Sequence, residues 1–123
     1  MVVNWAYIAG FFDGEGNVGV YGRTPAVTMT QTNEVVLRKI QGFLGTVGIK
    51  SSMYGYKPYR SSTHNFVWKL SIRSKESTEK FLHGVIPYLC VKKVVAQDVQ
   101  RFVQLYPKMT PQQRTSVKAG HYV

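Results

Sequence analysis

A chain of 123 residues with 44% apolar and 13% aromatic side chains buries roughly two-thirds of its unfolded surface on folding, and reads as a globular domain rather than a disordered chain. Sixteen Lys and Arg against six Asp and Glu give a formal charge of +10, so an anionic partner is expected, with nucleic acid ahead of a membrane surface. No apolar run approaches the length of a membrane span, and a lone cysteine, Cys90, excludes an internal disulfide and a multi-cysteine zinc site.

The opening "MVVNWAYIAGFF" lacks the basic start and small-residue cleavage site of a signal peptide, so a cytoplasmic (prokaryotic) or organellar-matrix protein is expected rather than a secreted one. His64, His83 and His121 share no metal-ligand spacing and read as ordinary surface or half-buried residues.

In chain order, Asn4 is a fitting N-cap for a helix through Trp5, Tyr7, Ile8, Phe11 and Phe12, stopped by "GEGN". Asn17 to Tyr21 and Ala26 to Gln31 read as two strands joined by "GRTP". Glu34 to about Leu44 places Val36, Leu37, Ile40, Phe43 and Leu44 on one helical face. Ile49 to Tyr56 and Asn65 to Arg73 form a second hairpin around "KPYRSSTH". Ser74 caps a helix from Lys75 to Val85, which Pro87 breaks, and Val91 to Leu105 gives a longer helix. Pro111 suits a first helical position in the tail, whose end "GHYV" is expected to fray. The order αββαββαα predicts an α+β fold with one twisted, mostly antiparallel sheet in a single domain over 1–123, its core at about 4–106 and its tail at 107–123.

The acids then sort by position. Glu34, Glu76 and Glu79 lie in the first turns of predicted helices, where the dipole favours negative charge, and Asp98 lies three residues before Arg101. Asp13 and Glu15 instead sit at a helix C-terminus, where an uncompensated anion costs on the order of 0.3–1 kcal/mol. A hard divalent cation held by carboxylate oxygens is one compensator; turn-forming acids beside glycine are the alternative.

In the same helix Ala6, Gly10 and Gly14 recur every fourth residue as a ridge without bulk. Glycine inside a helix costs about 1 kcal/mol relative to alanine, so Gly10 needs a close neighbour. That neighbour is either a second helix backbone or an element of the chain's own core. The match of "GEGNVG" to the G-x-G-x-x-G dinucleotide pattern is accidental, because this one follows a helix and opens a strand.

"IAGFFDGEG", Ile8 to Gly16, resembles the signature of the LAGLIDADG homing endonucleases, in which a helix ending in an acidic-glycine turn precedes a DNA-binding sheet. "VTMTQTN" is similar to the family's second strand, which ends in a glutamine near the active site, here Gln31. "IPYLCVKK" resembles the segment that brings in a catalytic lysine, best matched by Lys92, with Lys93 able to exchange roles with it. The correspondence runs over about residues 4–106. Glu15 stands where many relatives have Asp, and Val35 where some carry a basic active-site residue.

The resemblance implies an intron-encoded αββαββα endonuclease that hydrolyses double-stranded DNA with a divalent metal. It implies catalysis by Glu15, Gln31 and Lys92, metal at Glu15 and Gly14, and Mg²⁺ as cofactor, with Mn²⁺ substituting and Ca²⁺ binding without supporting cleavage. One signature per chain implies a homodimer joined through Ala6, Gly10, Asp13 and Gly14, acting on a long, roughly palindromic target. Lys92 as a plain phosphate clamp is the alternative role for that residue.

Strand alternation assigns the recognition face. Asn17, Tyr21 and Arg23 oppose Val18 and Val20 on the first strand; Thr24, Thr28 and Thr30 oppose Val27 and Met29 on the second. Lys50, Ser52, Tyr54 and Tyr56 are the polar set of the third strand; Asn65, Lys69, Ser71 and Arg73 oppose Phe66, Trp68, Leu70 and Ile72 on the fourth. Lys57 and Arg60, in "YGYKPYR", extend the hairpin tip along the DNA, and Lys93 adds a further contact. Such side chains on a β-ribbon read base edges in a major groove. A non-cleaving DNA-binding regulator or an RNA-splicing maturase on the same scaffold is the rival, with Tyr54, Tyr56 and Tyr59 stacking on unpaired bases. A basic structural protein explains the charge but not the acids.

Overall fold

Three helices begin where a short polar side chain accepts a backbone hydrogen. Asn4 Oδ1 accepts the Tyr7 N–H at 2.8 Å, Asn33 Oδ1 the Val36 N–H at 3.3 Å, and Ser74 Oγ the Ser77 N–H at 3.1 Å. The computed structural model describes residues 2–57 and 66–105. Within them run α1 (Trp5–Glu15), β1 (Gly16–Tyr21), β2 (Thr24–Gln31), α2 (Glu34–Thr46), β3 (Ser52–Tyr56), β4 (Val67–Ile72), α3 (Lys75–Val85), one turn of 3-10 helix (Ile86–Tyr88) and α4 (Lys93–Leu105). The expected Arg60 and Asn65 contacts, Tyr59, and the tail 107–123 lie outside the described residues.

The strands form one antiparallel sheet in the order β1-β2-β4-β3. From β2 the chain crosses through α2 to the far edge, lays down β3 and returns as β4 between β2 and β3. Val18, Val20, Val27, Met29, Leu70 and Ile72 are buried on one face, in one cluster with Ile8 and Phe12 of α1, Leu37 and Ile40 of α2, Phe81 and Leu82 of α3, and Val99 and Phe102 of α4. The helices thus share one side of the sheet, and its polar side is left uncovered by them.

Three boundaries differ from the local reading. β3 starts at Ser52, not Ile49, because Gly48 turns through a φ of 80°, Ile49 drops into the core and the Lys50 N–H donates to Ser77 Oγ at 3.0 Å instead of joining the ladder. β4 is trimmed to Val67–Ile72. α4 starts at Lys93, not Val91, since the preceding N–H groups are taken by a residue from the other end of the chain.

α1 and α3 meet through an aromatic knot. Trp5 lies edge-on to Phe43 and Phe81 at 5.3 and 5.9 Å between ring centroids, and Phe12 lies edge-on to Phe81 at 5.4 Å. The Trp5 ring rests on Gly84, where an added Cβ would fall inside the ring's van der Waals surface. Gly84→Ala is therefore expected to destabilise the chain by about 1–3 kcal/mol through overpacking, despite alanine's better helix propensity. Thermal denaturation checks it; an unchanged or raised melting temperature would show that the knot accommodates a methyl group.

Candidate active site and nucleic-acid interface

The two acids that end α1 have different fates. Asp13 Oδ2 accepts the Cys90 N–H at 2.8 Å, and Oδ1 accepts the N–H groups of Val91 at 3.0 Å and Lys92 at 2.9 Å. Those groups lead into α4, whose first turn closes when Lys92 O accepts the Ala96 N–H at 2.9 Å. Asp13 thus caps a second helix, and its charge sits at a favourable N-terminus after all. In return Lys92 Nζ donates to the Asp13 carbonyl oxygen at 2.6 Å, placing a cation on the C-terminal turn of α1. Desolvation raises the Asp13 pKa, but the N–H groups of Cys90, Lys92 and Val91 and the Lys92 ammonium outweigh it, holding the carboxyl below its ordinary value of 3.8.

Glu15 has no such partner. It is exposed, and among the described residues its carboxylate makes no hydrogen bond or ion pair. A compensating cation is therefore still called for at Glu15 but not at Asp13, whose compensator is α4. Gly16, the next residue, pairs with Met29, two positions before Gln31, so Glu15 and Gln31 share one end of the sheet. Lys92 reaches the same end through Asp13. Gln31 leaves β2 on the side of Val27 and Met29, and its Oε1 accepts from the Thr32 N–H at 2.8 Å and the Thr32 hydroxyl at 3.1 Å. Lys92 is half-buried, Lys93 is exposed, and Val35 lies exposed on α2.

Among the described residues no three His, Cys, Asp or Glu side chains gather into a metal cage. What the turn offers is a single free carboxylate at Glu15 beside the exposed Gly14. Hard oxygen donors of this kind fit Mg²⁺, which keeps several waters and takes only one or two protein carboxylates.

The outer side of α1 is bare. Ala6, Gly10 and Gly14 are exposed, and a Cβ built on either glycine meets nothing within 4 Å. No contact within the described chain explains the ridge, so the in-core reading of Gly10 has no support.

On the polar side of the sheet, register aligns Thr28, Ser71 and Ser52 in one row and Thr30, Lys69 and Tyr54 in the next. Tyr54 and Tyr56 are exposed with ring centroids 5.9 Å apart, and Asn17 Nδ2 donates to Tyr21 Oη at 3.1 Å. Arg23 and Thr24 are exposed at the β1–β2 turn, where Gly22 takes a left-handed φ of 66°. Lys57 Nζ sits 5.8 Å from the centroid of Phe66, and Arg38 of α2 covers Trp68 at the same distance, a pairing the strand pattern gave no sign of. Ser71 departs from expectation: it is on the polar side, yet only 4% exposed.

A family model described as a LAGLIDADG-like domain matches residues 3–85. The chain belongs to the LAGLIDADG family. No curated protein matches it. Solved structures share the LAGLIDADG homing-endonuclease fold. One is homing endonuclease I-CvuI in complex with DNA in the presence of 2 mM Mg, the DNA not cleaved (TM-score 0.67, 22% identity, 94% of this chain and 74% of that one). Another is I-CvuI in complex with its target in the presence of 2 mM Ca (TM-score 0.69, 21% identity, the same coverage). A third is the archaeal intron-encoded I-Vdi141I complexed with DNA (TM-score 0.62, 19% identity, 85% of this chain and 69% of that one). The LAGLIDADG match contains Asp13, Glu15 and Gln31 and ends before Lys92, which the fold brings back to Asp13.

The clasp has a pH signature. Because the folded Asp13 pKa is lowered, its contribution is complete above the unfolded value and is lost as pH falls through the folded one. Asp13→Asn is expected to cost about 1–2 kcal/mol near neutral pH. The gap between wild-type and variant melting temperatures should narrow only below the ordinary value of 3.8. A gap that stays constant down to strongly acid pH would mean that the carboxylate charge contributes nothing.

Proposed function

We propose that this protein is a site-specific double-stranded DNA endonuclease that uses a divalent metal and acts as a homodimer on a long, pseudo-palindromic target. The observation that carries the reading is the end of α1: one acid is consumed inside the chain, the other is left free, and both stand beside a bare ridge of small residues. One chain has half of what a double-strand cut requires. A second copy related by a two-fold axis supplies the other half, with α1 crossing α1 at Ala6, Gly10 and Gly14.

Glu15 and Gly14 are the residues that would hold Mg²⁺, which when bound offsets phosphate charge and acidifies a water. The chain's own groups do the positioning. Lys92, tied to the Asp13 carbonyl oxygen, fixes a positive charge at the reacting end of the sheet, where it stabilises negative charge developing on phosphate. The Gln31 amide, steadied by Thr32, orients a water. The tie to Asp13 and the half-buried position favour Lys92 over Lys93 in this role. The polar sheet face holds the duplex, with Thr28, Thr30, Tyr54 and Lys69 directed at base edges.

The test is incubation of a plasmid carrying the intron-free host allele with protein and Mg²⁺, scored for linearisation. Glu15→Gln is expected to abolish cutting by at least two orders of magnitude with duplex affinity nearly unchanged, since it removes a charge at constant shape. Full Mg²⁺-dependent cutting by that variant would refute the assignment.

Gly10→Val tests the crossing. A branched side chain placed where two backbones meet costs about 1–3 kcal/mol per site, and two-fold symmetry inserts it twice. Sedimentation over a concentration series should show the variant shifted toward monomer, with the monomer's melting temperature little changed because nothing among the described residues lies within 4 Å of a Cβ at that position. Unchanged association would remove α1 from the interface.

A further inference from the structure

Gln31 ends β2 and pairs with Trp68 of β4, so its backbone is held by the ladder, and two residues on Asn33 is held by capping α2. Thr32, between these fixed points, turns both of its donors onto one atom. Its N–H and its hydroxyl reach Gln31 Oε1 at 2.8 and 3.1 Å. A backbone N–H can only donate, so the side of the amide that faces it must be the oxygen. Facing an atom that can only accept, the hydroxyl must donate too. An amide oxygen has two lone pairs, and Thr32 fills both.

The amide is thereby set in one direction. With Oε1 saturated, Gln31 has no acceptor left to offer, and among the described residues its Nε2 donates to nothing. Rotating the amide by half a turn would bring Nε2 against the Thr32 N–H, donor against donor, and forfeit both bonds. The Gln31 side chain is half-buried, so water does not fully replace what is lost. What remains outward, at the end of the sheet that Glu15 shares, is a pair of N–H bonds without a partner.

We propose that Gln31 meets the attacking water as a hydrogen-bond donor only, and that Thr32 is the positioning residue that sets this polarity. This rests on the endonuclease reading above and deepens it. A water held in this way gives a lone pair to Nε2 and keeps both protons clear of the amide. In the hydrolysis its oxygen bonds to phosphorus, the P–O bond to the leaving sugar oxygen breaks, and the proton passes to solvent. As the water becomes hydroxide-like its hydrogen bond to Nε2 becomes charge-assisted and strengthens, which favours the transition state over the ground state. An amide whose oxygen is saturated takes no proton, so Gln31 is not the general base.

Wild type, Thr32→Ser, Thr32→Val, Gln31→Ala, Gln31→Glu and the double variant Gln31→Ala/Thr32→Val are compared for single-turnover cutting of the host-allele duplex in Mg²⁺ and for duplex affinity. In the free wild-type protein, NMR reads the coupling across the hydrogen bond from the Thr32 nitrogen to the Gln31 side-chain carbonyl carbon, which should be present. Gln31→Ala should slow cutting about a hundredfold with affinity nearly unchanged. Gln31→Glu puts an acceptor where the donor was and should be slower still; a Gln31→Glu protein that cuts faster than Gln31→Ala would make the residue an acceptor and overturn the proposal. Thr32→Ser should stay within about twofold of wild type and Thr32→Val should lose about fivefold, with no further loss when Thr32→Val is added to Gln31→Ala. An equal loss in both backgrounds would show that Thr32 does not act through Gln31. Affinity that falls as far as the rate in Gln31→Ala would place the donor on a backbone phosphate and overturn the water. Wild type that cuts but lacks the coupling overturns the polarity and leaves the endonuclease reading standing. Wild type that binds the duplex without cutting defeats that reading, and the water with it, even where the coupling is present.

Discussion

The arrangement depends on a reciprocal exchange of charges between two helix ends. Asp13, on the last turn of α1, gives its carboxylate to the N–H groups that open α4; Lys92, just before α4, gives its ammonium to a carbonyl on the last turn of α1. Each charge would be misplaced or idle on its own helix and is favourable on the other's. The partners are 77 to 79 positions apart in the chain, so the clasp also closes most of the molecule into one loop. The whole of this end of the sheet is referenced to it: Glu15 follows Asp13 by two residues, and Lys92 owes its position to Asp13.

Charge elsewhere follows the same segregation. All six acids lie on helices: Asp13 and Glu15 on α1, Glu34 on α2, Glu76 and Glu79 on α3, Asp98 on α4. Three are matched one turn away, to Arg38, Lys80 and Arg101. Exposed pairs of that kind add little stability, but they keep negative charge on the helices and away from the sheet. No strand carries an acid, while Lys69, with Lys50 and Arg73 just beyond the strand ends, brings positive charge to the polar face. A polyanion approaching that side meets a surface without local repulsion, which is how a net charge of +10 becomes a directed field.

What the sequence made legible was local. Asn4, Asn33 and Ser74 announce their helices because capping joins residues three apart, and valine alternation announces β1 and β2 because the pleat repeats every two. What it hid was long-range. Nothing near Val91 shows that Asp13 will take its N–H, so α4 was expected to begin too early. Nothing near Ile49 shows that Ser77 will take the Lys50 N–H, so β3 was expected to be too long. The placement of β4 between β2 and β3 is likewise a property of the crossover, not of any segment. At the candidate site, Asp13 and Glu15 looked alike because they share a turn; only the fold separates a structural carboxylate from a free one. Alternation along β4 places Ser71 on the polar side, but its 4% exposure depends on neighbours from two other strands, Thr28 and Ser52, which β4 itself does not encode.

The separation also explains how α1 tolerates its own composition. Gly10 and Gly14 cost the helix about 1 kcal/mol each relative to alanine, and their outward positions bury nothing among the described residues. A helix of eleven residues that gains nothing from one side must be held by its other side and its ends. The inner side supplies Ile8, Ala9 and Phe12; Asn4 holds the start. The end, weakened by glycine and by acids at the wrong pole, is held by Lys92 on the Asp13 carbonyl and by α4 on the Asp13 carboxylate. A smooth outer ridge is therefore stable only because the clasp fixes the turn beneath it. That same fixed turn keeps the free carboxylate of Glu15 at the foot of the ridge, where a symmetric partner would bring its own.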